Sequence, residues 1–287
     1  MISRIGFMQG RLCDQINGKI QAFPVSTWRT EFPKAEAIGL HLMEWTIDQD
    51  GLQQNPLMTN SGRREIAKLC LKHKLNIESV TGDCFMQAPF WKLSSDRSND
   101  LKRDFLAVCQ ACADLGISTI VLPLVDNGRI ETPNQESKLV AYLLSITAFL
   151  KSKNLKIAFE IDYEPKEILR FLDSLPSCTF GINYDIGNSA SQGFDLVDEF
   201  KAFGSRIFNV HVKDRIVRGT TVPLGSGSAD FDKVFSLLSN SKYQGNFILQ
   251  TARALDGKHI EVLQKYQKMV QNWMAQYGLD DLHHNFG

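Results

Sequence analysis

Four apolar runs in this sequence end on side chains that can bind a cation or move a proton. KIAFEID ends with Glu160 in phase with Ala158, and FGINYD ends with Asp185 in phase with Asn183. IFNVHVKD places Asn209, His211 and Lys213 at alternate positions, and NFILQTAR places Ile248 and Gln250 at alternate positions before reaching Arg253. Alternate residues of a strand share a face, so neighbouring strands would bring Glu160, Asp185 and His211 together. Two carboxylates and an imidazole suit one divalent ion such as Mn²⁺, Mg²⁺, Co²⁺ or Zn²⁺, with positions left for substrate oxygens. The plainer alternative is a salt bridge from Glu160 or Asp185 to Lys213 beside a structural histidine. Three metal-capable groups at three successive strand ends weigh against it, because buried carboxylates are costly unless paired or metal-bound.

The elements that must position these groups alternate along the chain. Short runs read as strands: RIGFMQ, LHLMEW, LNIESVTG, STIVLPLV, KIAFEID, TFGINYD, RIFNVHVKD and NFILQT. Between them lie stretches with helical spacing, among them GRREIAKLCLKHK, DLKRDFLAVCQACADLG, ESKLVAYLLSITAFLKSKN, EPKEILRFLDSL and DFDKVFSLLSNS. Eight strands each followed by a helix predict an α/β fold, a single (β/α)₈ TIM barrel over residues 1–287 closed by a helix at roughly 258–277. Asp230 and Asp232 suit a helix start, and Gly39, Gly116 and Gly245 suit the turns that lead into strands. The tail DDLHHNFG reads as loose, its paired histidines in water.

A barrel of this kind carries its site at the C-terminal strand ends. Glu44 and Asp83, at strand ends two and three, join Glu160 as candidates for taking a proton, and Lys213 is placed to stabilise oxyanion charge. Gln9, Arg11, Trp45, Asp83, Asn188 and Arg253 are the candidates for contacting substrate. Phe7, Trp45, Phe85 and Trp91 offer either an apolar wall for a sugar face or ordinary core.

Composition narrows the classes. The chain has 287 residues, 43% hydrophobic, with 32 basic and 32 acidic side chains. That balance lacks the basic excess of a nucleic-acid binder and leaves a small-molecule ligand as the expectation. The six cysteines are scattered, and Cys109 with Cys112 fall on one face of a helical stretch, so reduced thiols and a cytoplasmic setting are expected. MISRIGFMQGRL has no signal-peptide core, and residues 139–150 are too short an apolar stretch to cross a bilayer, so no membrane partner is expected.

FEID (159–162), YDIGN (184–188), NVHVKD (209–214) and PLGSGSADF (223–231), in that order, resemble the xylose isomerase-like TIM-barrel superfamily, the sugar phosphate isomerase/epimerase group. GFMQGRL, KIQAFP and MEWTID look like a subgroup found with surface-polysaccharide genes. The resemblance implies a carbohydrate substrate and one metal held by Glu160, Asp185, His211 and, in the place of the family's second glutamate, Gln250. It also implies an isomerase in which the metal polarises a carbonyl and stabilises an enediolate. Asn188 stands where many relatives have a histidine. An amide carbonyl still binds a hard cation, more weakly than a carboxylate, but it is no base. Gln250 therefore argues against two-glutamate epimerisation and tolerates one-base isomerisation. A ketose 3-epimerase, an inosose-type dehydratase and a non-catalytic sugar-binding barrel are the alternatives. An endonuclease IV-like site, which needs a histidine-rich three-zinc cluster, is set aside, since His41, His73, His211, His259, His283 and His284 are the only histidines and most fall in helices or the tail. Gly225 and Gly227 offer an anion-binding loop, with Arg11, Arg215, Arg218 and Arg253 near in sequence, balanced against Asp230. Dimers suit the architecture.

Overall fold

The protein is described by a computed structural model covering residues 4–16, 18–254 and 256–280. Its strands are β1 (Ile5–Met8), β2 (Leu42–Thr46), β3 (Asn76–Thr81), β4 (Thr119–Leu124), β5 (Lys156–Ile161), β6 (Phe180–Asp185), β7 (Ile207–Val212), β8 (Asp214–Arg215), β9 (Thr221–Val222) and β10 (Asn246–Leu249). Eight of them close into a parallel barrel in the order β1-β10-β7-β6-β5-β4-β3-β2, while β8 and β9 pair as a small antiparallel hairpin. The (β/α)₈ expectation holds, with one change. The seventh run breaks after Val212, so Lys213 sits at the corner between β7 and the hairpin rather than within the strand.

Several of the helices begin where side-chain acceptors stand. Thr59, Thr132, Asp195 and Asp230 accept the N–H groups of Gly62, Gln135, Val197 with Asp198, and Lys233. Each such cap contributes about 1 kcal/mol. Gly116 ends the helix Ser95–Leu115 at φ +80, a backbone conformation that other L-residues adopt at a cost. The last helix runs His259–Gln276, close to expectation. The paired histidines of the tail lie outside the described residues.

The main core fills the space between sheet and helices. Phe159 meets Phe171 at 5.1 Å and Phe180 at 6.2 Å, and burying each such ring favours folding by roughly 1.5–3 kcal/mol. Cys109 and Cys112 are free thiols buried in this layer, as expected. The apolar stretch 139–150 lies in the helix Pro133–Ser152, with Leu139, Leu143, Ile146 and Leu150 buried against the core. Among the described residues no helix is long and apolar enough to cross a membrane. Inside the barrel, Met8, Leu42 and Ile248 form a separate apolar cluster. Side chains two residues further along these strands are Glu44 and Gln250, so the barrel interior turns from apolar to polar toward its C-terminal end.

Candidate active site

The strand register assembles the expected donor set. Asp185 pairs with His211 across β6 and β7, and His211 pairs with Ile248 across β7 and β10. One ligand atom each from Glu160, Asp185 and His211 lies within 4.8 Å of the others, and all three residues are buried.

Hydrogen bonds below and beside the set fix its orientation. His211 Nε2 lies 2.7 Å from Glu44 Oε1. Glu44 Oε2 accepts from Ser79 Oγ at 2.6 Å and Asn209 Nδ2 at 2.9 Å. With Nε2–H donated to Glu44, His211 turns its Nδ1 to Glu160 Oε2, 3.2 Å away. Asn183 Nδ2 donates to Glu160 Oε2 at 3.1 Å and is itself held through Oδ1 by Asn209 Nδ2 at 2.8 Å. Burial alone would pull the His211 imidazole down, but Glu44 and Glu160 on its two sides push it up to about 10. Burial would likewise raise the Glu160 carboxyl, yet the His211 hydrogen bond and the charge of Lys213 hold it below its usual value. Asp185 is raised by burial, against the charge of Lys213. Its Oδ2 sits 2.6 Å from Lys213 Nζ, a charge contact outside hydrogen-bond alignment, and its Oδ1 accepts the Asn188 N–H at 2.8 Å.

These residues fit a divalent ion. The imidazole nitrogen and two carboxylates are the right donor types, and Glu44 supplies the buried carboxylate that typically supports a metal-bound histidine. Gln250 adds an independent sign: its Oε1 is buried without a hydrogen-bond partner, and the residue lines the same cavity as Glu160 and Lys213. A buried orphan oxygen is costly unless something binds it.

The cavity measures about 660 Å³, within the usual range for small-molecule sites. Arg11, Asp83, Asn188 and Arg253, four of the candidates for contacting substrate, line it. Asn188 also acts on the donor set: its Nδ2 donates to Glu160 Oε1 at 2.7 Å, while its Oδ1 accepts from Arg215 at 2.8 Å. Arg11 is held by the Thr251 carbonyl and Gln21, and burial with the nearby charge of Arg253 pulls it down to about 9. Arg253 donates to the Cys13 carbonyl, and its Nε has no partner. Burial, reinforced by Asp48 and Glu160, pushes the Asp83 carboxyl up to about 7. Gly187 lets Lys213 approach: a Cβ there would meet Lys213 Cγ at 2.8 Å.

Other expected contacts fall elsewhere. Glu44 is fully buried beneath His211 and does not line the cavity, so it orients the histidine and has no path to a substrate proton. Trp45 points to the opposite face of β2, against Phe23 and Trp28, with its indole N–H on Asn55. Gln9 is fully buried with Oε1 on the Thr46 N–H and Nε2 unpartnered. Phe7, Phe85 and Trp91 are core residues. The glycine-rich loop is not an open anion site either. The N–H groups of Gly225, Gly227 and Ala229 all donate to the Asp214 carboxylate. Asn183, Asn209, Asp214 and Arg215 emerge as supporting residues. The first three lie one strand repeat or one residue away from the selected groups, and Arg215, expected beside the anion-binding loop, instead holds Asn188.

Known proteins share this arrangement of chain. Over 280 residues the sequence is 24% identical to the Haemophilus influenzae SgbU protein, named for L-ribulose-5-phosphate 3-epimerase, covering 88% of this chain and 93% of that one. An inosose dehydratase of Bacillus thuringiensis is 25% identical over 152 residues, 45% of this chain and about half (51%) of the relative. The crystal structure of the IOLI protein with a binding zinc atom superposes with a TM-score of 0.72 at 17% identity, covering 95% of this chain and 98% of that one. Residues 32–274 match the sequence profile of one family, the xylose isomerase-like TIM barrel. The matched stretch takes in the donor set, Gln250 and most of the barrel, and the chain is isomerase/epimerase-like throughout it; it belongs to the xylose isomerase-like TIM-barrel family.

Proposed function

We propose that this protein is a divalent-metal-dependent sugar or sugar-phosphate isomerase that moves a proton on the carbon beside a carbonyl, through an enediolate. The observation that carries this reading is the Glu160 carboxylate. It opens onto a small-molecule cavity while Asn183 and Asn188 hold both its oxygens and His211 and Asp185 stand beside it. Glu160, Asp185, His211 and the Gln250 carbonyl would hold the ion, which when bound supplies Lewis-acid polarisation of substrate oxygens.

The chain's own groups do the rest. Glu160 is held ionised near neutral pH and takes the proton. Lys213, anchored by Asp185, faces developing negative charge on the substrate oxygen. Arg11 and Arg253 hold oxygens at the β1–β10 end of the cavity. Asp83, pushed up to about 7, is half-protonated near neutrality and can hand a proton to an oxygen or take one back. Gln250 cannot accept a proton as a glutamate would, so a single base working across one face of the substrate fits best.

Epimerisation at a carbon beside the ketone is the second reading. It draws on the activity named for the SgbU relative and on Asp83 as a second proton group in the cavity. Incubating the Mn²⁺-loaded protein with ketoses and ketose phosphates and identifying products by NMR separates the two. An aldose product supports the isomerase, a C3 epimer supports the second reading, and unchanged sugars across the panel count against both.

A further inference from the structure

Beside the catalytic cavity lies a second cleft of about 710 Å³, and Asp162 and Gln192 line both spaces. Asp162 is two residues beyond Glu160 and in phase with it, so it carries the polar face of β5 outward from the donor set. Its Oδ2 accepts from Arg129 at 2.7 Å. Its Oδ1 is buried and accepts from no other residue. An unmet acceptor at the wall common to two cavities is a place for a ligand hydroxyl.

The cleft's charge selects the kind of ligand. Five carboxylates face three arginines around it. Arg170 is already bound by Glu136 and Glu167, and Arg129 by Asp162. An anion would meet net repulsion there, whereas a neutral polyol can donate to the carboxylates and accept from the guanidinium edges. Tyr163 and Phe194 add half-buried aromatic surface. The Tyr163 hydroxyl is fixed to both backbone groups of Ile130, which holds its ring in place. Aromatic faces set among hydroxyl-binding groups suit the apolar C–H face of a pyranose.

We infer that the reacting sugar carries a second, uncharged glycosyl unit, which lies in the cleft lined by Asp162, Tyr163, Gln192 and Phe194 while the reacting unit occupies the catalytic cavity. This rests on the proposed sugar chemistry at Glu160 and extends it from a monosaccharide to a glycoside.

The test compares ligand pairs on the Mn²⁺-loaded full chain by calorimetry: each ketose of a panel against the same ketose bearing a glucosyl substituent. At least one glucosylated ketose is expected to bind about 10-fold or more tightly than its parent. Glu164→Trp fills the cleft from an exposed position that does not line the catalytic cavity. It is expected to abolish that gain and leave the parent's affinity within about twofold, with an unchanged melting temperature confirming the fold. Parents that bind as tightly as their glucosylated forms would overturn the inference alone, as would a gain that survives Glu164→Trp. A panel in which neither member of any pair binds would overturn the sugar reading itself and this inference with it.

Discussion

Glu44 Oε1 and His211 Nε2 lie 2.7 Å apart with both side chains fully shielded from solvent. The contact sets the imidazole so that Nδ1 faces Glu160. Supporting carboxylates of this kind typically change metal affinity by about 10–100-fold when altered. Glu44→Gln keeps the shape and an acceptor oxygen but removes the charge. It is expected to weaken Mn²⁺ or Zn²⁺ binding within that range, measured by competition with a chelating dye, while the circular dichroism spectrum stays the same. Unchanged affinity would remove Glu44 from the site.

Gln250 tests the fourth position. Its unpartnered Oε1 makes Gln250→Ala cheap for folding, within about 1 kcal/mol, because no protein hydrogen bond is lost. The same change is expected to weaken divalent-ion binding, and Gln250→Glu to strengthen it by adding a charge. Calorimetry on the three proteins checks the order Glu, Gln, Ala. An affinity indifferent to all three would place the ion on Glu160, Asp185 and His211 alone.

The Asp214 carboxylate holds three loop N–H groups, those of Gly225, Gly227 and Ala229. Asp214→Ala leaves them without their acceptor and is expected to cost roughly 2–4 kcal/mol in urea unfolding. Asp214 sits between Lys213 and Arg215, so the same variant is expected to lose activity beyond the loss of fold. Asp214→Asn, which keeps one carbonyl acceptor, is expected to fall between the two.

Much of this was legible in the sequence because a strand has a period of two. That period put Glu160, Asp185, His211 and Gln250 on one interior surface. The same period separates Glu44 from Trp45: adjacent residues cannot share a face, and Trp45 packs outward against Trp28. What periodicity does not give is depth along the barrel axis. Glu44 pairs with Met8 and Ser79 and so sits a layer below the cavity, a fact set by strand register across three chain segments. The glycines of the 223–231 loop have the composition of an anion site, and only the fold shows that the chain's own Asp214 occupies it. The second cleft had no local signal, since its walls come from the loops after β4, β5, β6 and β7.

Glu31 gives the fold a pH dependence of its own. It is fully buried and accepts the N–H groups of Gly10 and Leu12, and burial, against these bonds, pushes its carboxyl up to about 7 from 4.5. A folded carboxyl that holds its proton more tightly than the unfolded one contributes stability fully below about pH 4.5 and loses it as pH rises through about 7. The shift corresponds to about 3 kcal/mol. Urea unfolding of wild type and Glu31→Gln between pH 4.5 and 8 is expected to show wild type losing about that much relative to the variant. Parallel profiles would mean that Glu31 stays ionised throughout.

The central claim is that Glu160 removes a carbon-bound proton. The most direct measurement is solvent deuterium exchange: the Mn²⁺-loaded protein, a panel of ketoses, ketose phosphates and glucosylated ketoses, D₂O, and NMR detection of the carbon-bound protons. The account predicts deuterium entering one carbon beside the carbonyl of a single sugar class, and no exchange with Glu160→Gln carrying its metal. Exchange that persists in Glu160→Gln, or a metal-loaded wild-type protein that binds sugars and exchanges none of their protons, would contradict it.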